Sequence, residues 1–191
     1  VDAELLARLA RADRYLLSPI RHRGEEAQAD LMAVRVRAQL VELRTQTVNA
    51  VRGLVKPFGQ RLPACDAASL SRADAEHLEP AIRGHALKLL QVVEELSKQI
   101  EACDAELKQI ADRRYARETA QLRQVPGVGP ITALTYVLTL EDPGRFAKSR
   151  DAGAFLGLRP ISRQSGASEP EMRISKEGDR YLRTLLVQCA Q

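Results

Sequence analysis

Toward the end of the chain, Ser165 stands in the polar stretch Arg163-Gln164-Ser165-Gly166-Ala167-Ser168, with Arg159, Arg163, Arg173, Lys176, Arg180 and Arg183 within eighteen residues on either side. A serine hydroxyl that attacks a phosphodiester needs cations to offset charge on the nonbridging oxygens, and guanidinium forks suit those oxygens better than ammonium groups do. The plain alternative is a loop serine among solvated arginines, and no His/Asp companion points to a hydrolase triad.

Upstream, Leu122-x-x-Val125-Pro126-Gly127-Val128-Gly129-Pro130-x-x-Ala133-x-x-x-Val137 reads as the end of one helix, a Gly-x-Gly turn, and a second helix opened by Pro130. This is the helix-hairpin-helix pattern. Gly127 and Gly129 allow backbone N–H groups to approach a phosphate, and the following helix adds its N-terminal dipole. Such a grip ignores base sequence, because it touches no base edge. A tight turn between packed helices fits the same spacing, so both readings stand.

The elements that position these residues are helical by their periodicity. Residues 3–14 suit a short helix with Asp2 as N-cap, ended by Leu17-Ser18-Pro19. A longer helix is expected over about 25–56, with one apolar line through Leu31, Val34, Ala38, Val41, Thr45 and Val48 and a second through Val36, Leu40, Leu43, Thr47, Ala50 and Leu54. Pro57-Phe58-Gly59 stops it, and a loop follows. Ser71-x-x-Asp74 has capping-box form, and Pro80 suits a new first turn. Ala86, Leu89, Val93, Leu96, Ile100, Cys103, Leu107 and Ile110 then keep four-and-three spacing, which predicts a coiled-coil seam. Its partner is either residues 25–56 folded back as an antiparallel hairpin or the same helix of another subunit. The second apolar line leaves a surface for dimerisation. Further on, an amphipathic helix from Phe146 to Gly157 is expected to bury Phe146, Ala154, Phe155 and Leu158 and to end at Leu158-Arg159-Pro160.

Composition agrees with an all-α class: 191 residues, 45% apolar, 4% aromatic and no Trp, with Ala, Leu, Arg, Glu and Gln dominant. No apolar run approaches the ~20 residues of a bilayer span, and Val1-Asp2-Ala3-Glu4 does not open a signal peptide, so the cytoplasm is the expected location. Three cysteines without C-x-x-C spacing, and His77 and His85 eight apart, give no disulfide framework and no zinc site. The net charge of +4 is spread unevenly. Arg35, Arg37, Arg44, Arg52 and Lys56 are opposed only by Glu42, which makes the first long helix locally basic.

The succession Pro126-Gly127-Val128-Gly129-Pro130-Ile131-Thr132-Ala133, Arg145-Phe146, Gly157-Leu158-Arg159-Pro160, Gln164-Ser165-Gly166-Ala167-Ser168, Arg173-Ile174-Ser175-Lys176 and Gly178-Asp179-Arg180-Tyr181-Leu182-Arg183 resembles the C-terminal domain of the insertion sequence 110 family of transposases, also called the IS116/IS902 type. The resemblance implies a DNA transposase of a mobile element, built from an N-terminal RNase-H-like domain with an Asp-Glu-Asp-Asp metal site, a coiled coil, and a C-terminal domain with an essential serine. It implies partnership with DNA and with a noncoding bridge RNA that pairs with donor and target. By motif, Ser165 becomes the nucleophile of a phosphoserine intermediate. Gly127, Gly129, Arg159, Arg163, Arg173, Lys176, Arg180 and Arg183 become nucleic-acid contacts.

Val1-Asp2-Ala3-Glu4-Leu5-Leu6-Ala7 is similar to the family's D-x-x-D-A-x-x-L-A, which makes Asp2 the last acidic residue of an otherwise absent metal site. Mg2+ is expected in the intact parent and not in this stretch alone, because one carboxylate cannot hold a catalytic metal. The organisation implied is a remnant of the N-terminal domain and linker over 1–22, a coiled-coil hairpin over 23–120, and a transposase domain over 121–191, truncated at both ends. Such a fragment is expected to bind nucleic acid and form a dimer or tetramer without recombining DNA, in the bacterial cytoplasm at the nucleoid and with no membrane partner. The alternative is a non-enzymatic helix-hairpin-helix binding module or a coiled-coil oligomerisation module.

Overall fold

Two long helices set the architecture of the computed structural model, which describes residues 2–13, 15, 22–161 and 172–191. The order is α1 (Asp2–Ala12), α2 (Glu25–Val55), α3 (Pro80–Arg114), α4 (Ala116–Leu122), α5 (Pro130–Leu140), α6 (Ser149–Phe155) and α7 (Arg180–Cys189). Single 3-10 turns lie at Lys56–Phe58, Arg72–Ala75 and Pro143–Arg145. Among the described residues there is no strand, and an isolated antiparallel bridge joins Pro160 to Ile174. The class is all-α, as composition and periodicity predict. No described helix is long and apolar enough to cross a membrane.

α2 and α3 fold back on each other within one chain, which decides between the two partners the seam allows. Gly59, in the left-handed region at φ 71°, ends the turn after α2. Leu62, Leu70, Ala75 and Leu78 then close the end of the hairpin over Val48, Val51, Val55, Ile82, Ala86, Leu90 and Val93. The capping box forms, with Ser71 N donating to Asp74 Oδ2 at 2.8 Å, but it opens a 3-10 turn rather than the long helix. Pro80 opens α3 as expected. Each fully buried Leu or Val in this cluster contributes about 1.5–3 kcal/mol of transfer free energy.

The buried row of α3 is rotated from the predicted seam. Ala86, Val93, Ile100, Leu107 and Ile110 are buried as expected, whereas Leu89, Leu96 and Cys103 are half-buried and Leu90 and Ala111 take the interior instead. The reason is the arginines of α2. Arg37 donates to Asp104 Oδ1 at 2.7 Å and Arg44 to Ser97 Oγ at 3.3 Å, so the row 90, 97, 104, 111 must face α2 to satisfy them. Arg52 reaches the carbonyls of Pro63 and Cys65 at 2.9 and 2.6 Å. The basic helix therefore turns much of its charge inward. Its second apolar line stays outside the hairpin: Val36, Leu43 and Leu54 are 44%, 41% and 62% exposed.

At the open end of the hairpin, Leu31 and Val34 of α2, Leu107, Ile110 and Ala111 of α3, and Leu134 and Leu138 of α5 form one cluster. Arg23 fastens this joint by donating to the carbonyls of Leu138 and Thr139 at 3.1 and 2.8 Å, where α5 leaves its last carbonyls unpaired. Asp30, 4% exposed, accepts from the Tyr115 hydroxyl at 3.0 Å and pairs with Arg114 at 3.1 Å, holding the break between α3 and α4. Burial, then the Asp30 carboxylate, push the Tyr115 hydroxyl up to about 12.

A third cluster, Leu140, Leu156 and Leu182, anchors the last elements. The helix expected from Phe146 begins only at Ser149, because Pro143–Arg145 forms a turn and Lys148 N bonds Asp151 Oδ2 at 3.0 Å to start it. Phe146, Ala154, Phe155 and Leu158 are half-buried rather than buried, and the fully enclosed residue is Leu156. Phe146 and Phe155 meet edge to face at 5.6 Å under the Arg145 guanidinium.

Candidate nucleic-acid interface

The turn between α4 and α5 has Gly127 at φ 85°, and a Cβ there would overlap the Cys189 carbonyl at the end of α7. Gly127 is thus required by backbone geometry and by the close approach of α7. Gly129 is different: a Cβ on it meets nothing within 4 Å, and it precedes α5 with no side-chain cap on the first turn. Gly129 has no side chain to cap the first turn of α5, and an uncapped helix start suits an anion.

A second feature was not foreseen from the sequence. Residues 157–161 run antiparallel to residues 173–176, with Ile161 N donating to Arg173 O at 3.0 Å, Ser175 N to Arg159 O at 2.9 Å and Lys176 N to Gly157 O at 3.0 Å. Side chains alternate across such a ribbon, and Pro160 opposes Ile174 on one face. Arg159 and Arg173 therefore lie diagonally on the other, and both are exposed. The base of the ribbon is locked where Gly157 and Gly178 cross. Both have positive φ, and a Cβ on either would overlap backbone of the opposite segment. Arg183 Nη1 ties the crossing by donating to Leu156 O and Glu177 O, each at 2.9 Å.

α7 starts directly from this crossing. Asp179 caps it by accepting from Leu182 N at 2.8 Å and receives Arg35 of α2 at 3.4 Å. Burial opposes charge on Arg37, yet Asp104 and Tyr181 together outweigh it and hold the guanidinium above its ordinary value.

The site residues expected from the sequence are thus divided. Arg159 and Arg173 come together on the ribbon, with Lys176 exposed near its base at φ 59° and Arg180 exposed at the start of α7. Arg183 is committed to carbonyls and braces the ribbon. Gly127 and Gly129 stand at the far end of α7, about 15 Å along that ten-residue helix. Asp2 is exposed on α1, and among the described residues no group of three or more His, Cys, Asp or Glu is placed to hold a metal ion. Ser165 and Arg163 lie outside the described residues.

Beside the ribbon, Arg150 of α6 and Arg159 line a depression of about 510 Å³. Arg150 escaped the sequence reading because it belongs to no turn or serine motif. The pairing of α6 with the first arm brings it in.

The comparisons with known proteins bear on this same part of the chain. Residues 119–191 match the transposase family IS116/IS110/IS902. Over its whole length the chain is 36% identical to the transposase for insertion sequence element IS1328 of Yersinia enterocolitica, covering 57% of that protein. It is 30% identical to a probable family 20 transposase of Pseudomonas aeruginosa, covering 57%, and 29% identical to the transposase for insertion sequence element IS1111A of Coxiella burnetii, covering 53%. The chain therefore spans a little over half the length of these relatives. From Thr119 to Gln191 it matches the IS116/IS110/IS902 transposases, and along its full length it is similar to named transposases of bacterial insertion sequences.

Proposed function

We propose that this chain is the hairpin and C-terminal part of a DNA transposase that cuts and rejoins DNA through a phosphoserine at Ser165, with a noncoding bridge RNA choosing the sites. The observation that carries the reading is the ribbon within the matched segment: its two arms set Arg159 and Arg173 on one exposed face, and residues 162–171, which join the arms, include Ser165. In the reaction, the Ser165 Oγ gives up its proton and forms a bond to phosphorus while the bond to the departing sugar oxygen breaks and that oxygen takes a proton. Phosphodiester energy is kept in the covalent link, so the reverse step with a new strand end rejoins DNA without ATP. Arg159 and Arg173, with Arg163, offset charge on the nonbridging oxygens. Lys176 and Arg180 hold neighbouring phosphates, Gly127 and Gly129 hold phosphates farther along, at the other end of α7, and Arg183 positions the ribbon.

The outward apolar line of α2 supports assembly into a dimer or tetramer. Mg2+ belongs to the proposal for the whole protein alone: among the described residues the exposed Asp2 joins no group of three metal-ligating side chains, and no step here runs through a metal.

The test is covalent trapping. The whole protein, its element's flanking noncoding RNA and donor DNA are incubated and run on a denaturing gel, beside the Ser165→Ala protein. The expected result is a protein–DNA adduct that disappears in the variant while nucleic-acid binding persists. An adduct that survives in Ser165→Ala refutes the nucleophile. No adduct with either protein, despite tight binding, favours a non-enzymatic binding module.

A further inference from the structure

We infer that the depression between α6 and the first arm of the ribbon is a second DNA-phosphate site, with Arg150 as a contact not indicated by any motif; this rests on the DNA-binding reading above. The depression is lined by Arg150, Asp151, Gly153, Ala154, Leu158 and Arg159. Its two guanidiniums are exposed and have no ion-pair partner among the described residues, whereas Arg35, Arg37 and Arg114 each meet a carboxylate. Like charges sharing one hollow repel, and an anion placed between them removes that cost while accepting charge-assisted hydrogen bonds. Two arginines and one carboxylate line the hollow, which leaves it a surplus of positive charge, and the Asp151 carboxylate is engaged by Lys148 N at 3.0 Å.

The floor is shaped for a backbone rather than a bulky group. A Cβ on Gly153 would meet nothing within 4 Å, and Ala154 beside it is small, so a phosphodiester can approach α6 closely. Arg159 belongs both to this hollow and to the ribbon face that carries Arg173. Successive phosphates of one strand can therefore pass from Arg150 through Arg159 to Arg173.

Binding of a labelled DNA duplex to the 191-residue chain, followed by fluorescence anisotropy at several salt concentrations, tests this. Arg150→Gln is expected to weaken binding several-fold and to reduce the salt dependence by about one phosphate contact. Gly153→Leu fills the hollow while keeping every charge, and the same loss is expected with a melting temperature no lower than the parent's, since the helix interior gains a better helix former. Lys88→Gln, an exposed cation on α3, should change neither quantity. A parent that binds DNA with both α6 variants indistinguishable from it overturns the site alone. A parent with no salt-dependent affinity overturns the site together with the reading beneath it. Loss seen on an RNA duplex but not on DNA refutes the assignment to DNA.

Discussion

Residues 1–60 and residues 121–191 carry the same tally of charge, ten Lys/Arg against seven Asp/Glu in each, yet several arginines of the first bond into the fold where those around the ribbon stand exposed. In the first region Arg23, Arg37, Arg44 and Arg52 reach into the fold and bond carbonyls, a carboxylate or a hydroxyl, and Arg35 bridges to the cap of α7. In the second, Arg150, Arg159, Arg173 and Arg180 stand exposed, and Arg183 braces the ribbon that carries two of them. A count of cations cannot tell one that replaces water inside a fold from one left free for a ligand. The presence of an acceptor within hydrogen-bond reach can.

The sharpest way to break this contrast is to damage each region without touching charge. Gly178→Ala forces a side chain into a left-handed position against the Phe155 carbonyl, and should cost on the order of 3 kcal/mol in denaturant unfolding. Leu90→Ala, deep in the hairpin, should cost about 3 kcal/mol as well. Under conditions where both variants stay folded, DNA affinity is expected to fall for Gly178→Ala and to hold for Leu90→Ala. Equal losses of affinity would erase the distinction.

Charge removal sharpens it next. Arg52→Met should lower stability by about 1–2 kcal/mol, since two carbonyls lose a charged donor, and leave DNA binding alone. The double variant Arg159→Gln/Arg173→Gln should do the reverse. Its stability stays within about 0.5 kcal/mol, and the salt dependence of DNA binding drops by about two phosphate contacts.

The smallest effect is one of pH, at the joint between the regions. The folded state holds the Tyr115 proton to about 12 against an ordinary 10.0, so this hydroxyl's contribution is complete below pH 10.0. It is lost as pH climbs through about 12. Unfolding curves taken across that window should fall more steeply for the parent than for Tyr115→Phe. Parallel curves would mean that Asp30 does not grip the phenol as described.

Much of the fold was readable from residue order, and the misreadings share a cause. The heptad count of α3 found the right helix but turned it by part of a turn, because Ser97 and Asp104 look like outer positions until Arg44 and Arg37 are placed opposite them. The helix sought from Phe146 begins three residues later because the Pro143–Arg145 turn precedes it. The ribbon went unseen for a similar reason: three backbone hydrogen bonds between segments more than ten residues apart leave no periodic trace in so short a run.

What residue order alone determined is whatever depends on neighbours along the chain: the helical class, the two long helices, and Pro130 and Pro80 as helix openers. These follow from backbone sterics and the 3.6-residue period. The tertiary structure alone decided that Arg37, Arg44 and Arg52 of α2 face inward, that Arg159 and Arg173 come together, and that α7 holds them apart from the α4–α5 turn. Each of those facts rests on contacts between residues distant in sequence, where burial selects which charges find a protein partner and which remain free for a ligand.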